Sequence, residues 1–245
     1  HSVYLEPFAG SAAVLFAKKP ARLETINDIN DDVVNLFRVI RDQDKCRELV
    51  RQISLTPWAR TEYQEARRSK PDDTDIEKAR RYLIRSWQGI SGGQRYATGF
   101  KHSVAPQGPR CVGAWHDLPE TLYEASTRLL DVQIEKQDGV KLIRKYDHPG
   151  TLIYVDPPYP RSVRKSYLYT HETDDQTHED LLEAIKANKS MIVVSGYACD
   201  QYDNHLKDWY RVEKKAFAEA GQCRTEILWM NFQSQNQLEE VHPHA

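Results

Sequence analysis

Asp156, Pro157, Pro158 and Tyr159 follow directly on the apolar run Leu152, Ile153, Tyr154 and Val155. A carboxylate, a diproline and an aromatic ring at the end of a buried strand have a specific chemical use. The exocyclic amino group of a nucleobase is a poor nucleophile, because its lone pair is delocalised into the ring. Two acceptors for its N–H bonds favour a pyramidal, reactive nitrogen. The Asp156 carboxylate gives one acceptor, and the Pro157 carbonyl can give the other. Prolines fix φ and carry no N–H of their own, which leaves that carbonyl available. Tyr159 offers a stacking face, worth about 1–3 kcal/mol for a flat base. Such a site works by positioning rather than by a covalent nucleophile. The plainer reading is a diproline turn with a capping Asp, and the four residues alone do not separate the two.

Other strand ends add weight. In open parallel sheets, ligands bind at the carboxyl ends of the strands. The first apolar run ends in Glu6-Pro7-Phe8-Ala9-Gly10-Ser11. Gly10, with small neighbours Ala9, Ser11, Ala12 and Ala13, allows a ligand close to the backbone. There is no G-x-G-x-x-G and no G-K-[ST], so a pyrophosphate cradle is poorly supported. The second run ends at Asp28-Ile29. An acid about 20 residues after the first loop suits the two hydroxyls of a ribose. The third ends at Gln137-Asp138. An adenosine-containing ligand without a phosphate cradle suggests S-adenosylmethionine (AdoMet). The candidate cofactor residues are therefore Glu6, Pro7, Phe8, Ala9, Gly10, Ser11, Asp28, Ile29, Gln137, Asp138 and Asp156.

The elements that must position these residues alternate. VYLEPF reads as a strand, AGSAAVLFA as a helix closed by Lys18-Lys19-Pro20, and Leu23 to Ile26 as a second strand. DDVVNLFRVIRD has helical spacing. Residues 43–88 read as helical, with breaks at Pro57 and at the DDTD of 72–75. Residues 89–117 are rich in Gly and Pro and read as a loop or hairpin. A helix is expected over 119–131. Then come a short strand at Val132–Glu135, a helix at Gly139–Tyr146, the strand Leu152–Val155, a helix over 177–188 and the strand MIVVSGY. A helical stretch near 203–209 precedes a closing strand pair, RVEKKAFA and TEILWMNF. This is a parallel α/β sheet interrupted by a helical insertion.

The chain has 245 residues, 29% of them charged and 40% hydrophobic. No apolar run approaches the roughly 20 residues that span a membrane. Cys46, Cys111, Cys199 and Cys223 are scattered, without a C-x-x-C pair, as expected of reduced intracellular thiols. No metal is expected, since the nine histidines show no ligand spacing. The net charge is −2, but the stretch between Trp58 and Trp115 holds 11 Lys/Arg against 6 Asp/Glu, a local +5. A basic segment in an acidic protein suits a polyanion partner, although a solvated helix face accounts for at least half of these charges.

EPFAGSAAVLF, LETINDIN, YVDPPY, SGY and the late EILWMN together resemble the Dam-type, α-class DNA adenine N6-methyltransferases. The resemblance runs from residue 3 to about 232, in the order cofactor motif, recognition insertion, catalytic motif. It implies a Rossmann-like AdoMet-dependent methyltransferase sheet with an inserted, mainly helical DNA-recognition domain. The catalytic domain is expected over 1–44 and 131–245 and the insertion over 45–130. The implied reaction moves a methyl group from AdoMet to the N6 amino group of a flipped-out adenine in specific double-stranded DNA, with Asp156, Pro157, Pro158 and Tyr159 catalytic. A bacterial or phage origin and a cytoplasmic, DNA-associated protein go with it. Two departures stand out. The family's Lys- and Gly-containing motif upstream of the first strand is not present ahead of His1, and is expected in the natural protein. Ala12 stands where many relatives have glycine.

Extruding a base costs a few kcal/mol, which DNA contacts must offset. Gln94, Arg95 and Lys101 lie on the Gly-rich stretch GGQRYATGFKH, and Gln and Arg suit adenine and guanine edges. Arg161, Arg164 and Lys165 follow the catalytic motif and suit phosphates. An ordinary surface hairpin is the plainer reading of the first group. Alternative functions are N4-cytosine methylation, a non-catalytic methyltransferase-like DNA-binding subunit, and a nicotinamide oxidoreductase, the last weakened by the missing glycine fingerprint.

Overall fold

The computed structural model describes residues 1–68, 70, 72–90, 99–102, 111–159, 175–217 and 223–233. Seven strands form a sheet in the order β3-β2-β1-β4-β5-β7-β6. They are β1 (Val3–Glu6), β2 (Leu23–Asn27), β3 (Val132–Glu135), β4 (Thr151–Val155), β5 (Met191–Tyr197), β6 (Tyr210–Phe217) and β7 (Cys223–Met230). β1 pairs in parallel with β2 and β4, and β4 with β5. β7 runs antiparallel to both β5 and β6. The chain leaves β1 in one direction along the sheet and returns on its other side at β4. That reversal opens a crevice at the strand ends.

The described residues fall into two compact units. One comprises His1–Asn27 and the described residues from Gln137 onward. Its core lies on one face of the sheet, where Ile153, Val155, Ile192, Val194, Ile227 and Trp229 are buried. They pack with residues of α7 (Gly139–Lys145), α8 (Asp175–Ala187) and α9 (Asp200–His205). The alternation expected of a strand then puts Tyr154, Asp156, Ser195 and Tyr197 on the opposite face, where all four are half-buried. α1 (Ala13–Ala17) follows β1. Asn231, the last residue of EILWMN, ties β7 back to β5. Its Oδ1 accepts from the Ile192 N–H at 2.8 Å, and its Nδ2 donates to the Ser190 carbonyl at 2.8 Å.

The second unit, Asp28–Lys136, is mainly helical. It contains α2 (Asp31–Arg41), α3 (Gln43–Leu55), α4 (Arg60–Ala66), α5 (Asp75–Gln88), α6 (Cys111–Leu129) and β3. The polar breaks in the sequence act as caps. Asn30 accepts from Asp32 N, Asp42 from Asp44 N and Lys45 N, and Thr74 from Glu77 N. Much of the basic character is internal. Arg80 pairs with Glu62 and Glu77, Arg81 with Asp73 and Glu77, and Arg85 with Asp32.

The loop expected over 89–117 does not extend to its C-terminal end. α6 begins at Cys111 and runs through Gly113 and Pro119. Tertiary packing outweighs those helix-disfavouring residues. Trp115 is buried, and its Nε1 donates to the Thr56 carbonyl at 2.8 Å, while Leu118 and Leu122 are buried on the same helix. Near the start of that expected stretch, Gly89 and Phe100 form an isolated antiparallel bridge.

Candidate active site

β4 delivers Asp156 to the crevice. The strand alternates buried and half-buried side chains, and Asp156 continues the half-buried set. Burial raises its carboxyl from an ordinary 3.8 to about 6, and the negative charge of Glu226 adds to the rise. Glu226 lies on β7, opposite Tyr197 of β5. Asp156 is thus an anion at neutral pH that holds a proton more tightly than a surface carboxylate. Pro157 is buried and Pro158 half-buried. The ring of Tyr159 lies 4.6 Å from that of Tyr197, centroid to centroid, tilted by 54°.

β1 brings a second acid to the same region. Glu6 is 2% exposed. Burial raises its carboxyl to about 7; hydrogen bonds from the Tyr4 hydroxyl and the Leu15 N–H pull it down, and the charge of Asp156 pushes it up again. Tyr4 and Glu6 point to one face of β1, and the Tyr4 hydroxyl donates to Glu6 Oε1 at 2.5 Å. Lys18 sits over the Tyr4 ring at 4.2 Å and pairs with buried Glu24. With Glu6, Asp156 and Glu226, the site is rich in acids and suits a cationic group.

The loop after β1 curls through two left-handed residues, Gly10 at φ 50° and Ala12 at φ 52°. Gly10 is exposed, and a Cβ there would enter open space. This is a surface that something flat or extended can approach at backbone distance. Ala12 is fully buried and makes the turn into α1 without a side-chain cap.

Asn27 holds this loop in place. Its Nδ2 donates to the Pro7 and Gln137 carbonyls, both at 2.9 Å, and its Oδ1 accepts from the Gln137 N–H at 2.9 Å. Its own carbonyl accepts from Ala9 N at 2.8 Å. One buried amide thus joins the loop after β1 to the start of the segment leading into α7. Gly139 completes the fit, because a Cβ there would lie 2.8 Å from the Phe8 ring and 3.0 Å from the Pro7 carbonyl. Asp138 caps α7, its Oδ1 accepting from Lys141 N at 2.8 Å.

The first unit therefore brings together Glu6 to Ser11, Gln137, Asp138 and Asp156 to Tyr159. Asn27, Gly139, Tyr197 and Glu226 escape sequence reasoning. Three of them lie in motifs that carry the resemblance, Asn27 in LETINDIN, Tyr197 in SGY and Glu226 in EILWMN, but none is marked with a role there. Asp28 and Ile29 belong to the second unit. Asp28 is half-buried and accepts from Asn30 N at 2.8 Å through Oδ1, a turn that orients its carboxylate. Ile29 is 47% exposed.

Lys101 also lies in the second unit, anchored by its backbone. Its N–H donates to the Gln88 carbonyl at 2.7 Å, and its carbonyl accepts from Trp58 Nε1 at 2.9 Å. Beside it, the Arg60 guanidinium lies over the Phe100 ring at 5.0 Å. Gln94, Arg95, Arg161, Arg164 and Lys165 lie outside the described residues. Among the described residues, no group of three or more His, Cys, Asp or Glu is arranged to hold a metal ion. No described helix is long and apolar enough to cross a membrane.

The chain is similar to a type II methyltransferase, M.CviBI of Paramecium bursaria Chlorella virus NC1A, at 24% identity over 231 residues. That similarity covers 92% of this chain and 86% of the viral protein. The model of the D12 class N6 adenine-specific DNA methyltransferases matches residues 1–219, well over half of the chain. The chain belongs to the D12 class N6 adenine-specific DNA methyltransferases.

Proposed function

We propose that the methyl donor is AdoMet and that the acceptor is an adenine extruded from a specific duplex sequence, with Asp156 as the central catalytic group. The observation that carries this reading is Asp156 itself, a carboxylate at a strand end whose proton affinity is raised by burial and by Glu226.

Glu6 to Ser11 hold the donor. The open, left-handed turn at Gly10 fits a ligand that must lie against backbone, and the acids Glu6 and Asp156 favour its positive charge. Asp28 takes the ribose hydroxyls, and Ile29, Gln137 and Asp138 border the adenosine. AdoMet in that position supplies a methyl group on a sulfonium, ready for displacement by an amine. Tyr159 stacks on the target base. Asp156 and the Pro157 carbonyl accept the two N–H bonds of N6, which frees its lone pair. As N6 gains a fourth bond it becomes acidic, and Asp156 takes the proton. On the DNA side, Arg95 with Gln94 and Lys101 read base edges, whereas Arg161, Arg164 and Lys165 hold phosphates. Arg95→Ala then relaxes preference at one position, and the other three changes flatten the salt dependence for all sequences alike.

Tritiated-methyl incorporation into unmodified genomic DNA tests the central assignment. Asp156→Ala should lower turnover by orders of magnitude while the fold survives. Near-normal turnover removes Asp156 from the mechanism. Calorimetric titration with AdoMet tests the ribose role, since Asp28→Ala should lose about 1.5–3 kcal/mol of cofactor binding and little DNA binding. Unchanged cofactor affinity leaves Asp28 as a turn-forming residue only. Absence of AdoMet binding by the unaltered protein would instead favour a non-catalytic DNA-binding subunit.

A further inference from the structure

We propose that Tyr197 is a positioning residue that fixes the ring of Tyr159 in the orientation that receives the extruded adenine. The inference rests on the reading of Tyr159 as the base-stacking ring.

Each residue of the SGY motif has a separate task. The Ser195 side chain hydrogen-bonds Tyr154. Gly196 lies on the core face against Trp229, where a Cβ would come within 3.3 Å of the indole ring. Tyr197 turns the other way. β4 and β5 are in parallel register with Val155 opposite Val194. Asp156, Ser195 and Tyr197 therefore share a face. On that face the Tyr197 ring meets Tyr159 at 4.6 Å, near the closest separation aromatic pairs adopt.

This pair adds little to the core, because both rings are half-buried. The aromatic packing that builds the core on the other face comes from Tyr202 and Trp229, whose rings are 5.7 Å apart. Pro157 and Pro158 stiffen the backbone up to Tyr159, but they do not set its side-chain torsions. The Tyr197 ring is in contact and can. A platform already oriented spares the base the entropy of ordering it on arrival. Tyr197 comes from a different strand than the catalytic motif, so it couples the end of β5 to the stacking ring.

A double-mutant cycle decides the matter, with kcat and KM for DNA measured on unmodified genomic DNA. Tyr197→Ala should lower kcat/KM by about 2- to 12-fold, the range that one aromatic pair supports. Tyr197→Leu keeps apolar volume without the ring and should show the same loss at an unchanged melting temperature. Tyr197→Phe keeps the ring and should recover most of the activity. AdoMet affinity by calorimetry should not move in any of the three. The decisive variant is Tyr159→Ala with Tyr197→Ala, which should be no worse than Tyr159→Ala alone. Additive losses would overturn the proposal and leave Tyr159 as the stacking ring. Full activity of Tyr197→Leu would overturn it too. If Tyr159→Ala alone leaves turnover unchanged, the stacking role of Tyr159 falls first, and the role of Tyr197 with it.

Discussion

Replacing Asp156 with Asn should make the ligand-free protein more stable while impairing methyl transfer. The carboxyl sits near 3.8 in an unfolded chain and near 6 in the fold. A group whose folded value is raised costs stability once it ionises. The fold therefore weakens as pH rises from about 4 to above 6, and the full cost is present at pH 8. A difference of about two units corresponds to about 3 kcal/mol. Asn has nearly the same shape and no charge, so Asp156→Asn recovers that amount at pH 8 and about half of it at pH 5. For a chain of this size, about 3 kcal/mol raises Tm by roughly 6–12 °C. Thermal unfolding followed by circular dichroism across pH 5–8 measures the difference, and methyl incorporation measures the loss. Equal melting temperatures at pH 8 would refute the electrostatic account. A gain independent of pH would refute it as well, because packing or hydrogen bonding would then be the cause.

Two further outcomes follow from the same site. Burial raises Glu6 to about 7, so it ionises across neutral pH; affinity for the cationic cofactor should climb between pH 6 and 8, and Glu6→Gln should flatten that slope in calorimetry. A slope that survives the change assigns the titration to another group. Ala12 holds a left-handed φ that costs an L-residue about 1–2 kcal/mol, so Ala12→Gly should be neutral or stabilising by up to about 1 kcal/mol after glycine's extra chain entropy. A clear drop in Tm would mean that the Ala12 methyl packs better than its backbone suffers.

The strand ends were legible because their chemistry is local. Leu152 to Val155 are apolar, Pro157 and Pro158 stop the strand, and Asp156 lies between the two. The alternation of strand and helix around Asp28 and Asp138 was equally readable. The start of α6 was not, since Gly113 and Pro119 argue against a helix that Trp115 secures from a distance through Thr56. Asn27 was passed over for its neighbour Asp28, because its bond partners at Gln137 are 110 positions away. Glu226 acts on Asp156 only through the antiparallel return of β7, a pairing no local pattern announces. The basic excess of the insertion overstated the charge available to DNA, for Arg80, Arg81 and Arg85 are held by carboxylates of the protein itself.

The Asn27 amide has a consequence for turnover. A methyltransferase must release its spent donor and load a fresh one in every cycle. If the loop after β1 relaxed each time it emptied, every loading would repeat the work of arranging it. Three side-chain hydrogen bonds from one buried residue hold its carbonyls and amides in register without any donor present. The ordering is done once, when the chain folds. What remains variable between cycles is the ligand's charge. With AdoMet as the proposed donor, it arrives as a sulfonium and leaves as a neutral thioether, facing the same Glu6 and Asp156. In the proposed reading, the same acids that attract the incoming donor lose their hold on the product, and the scaffold becomes a device for exchange.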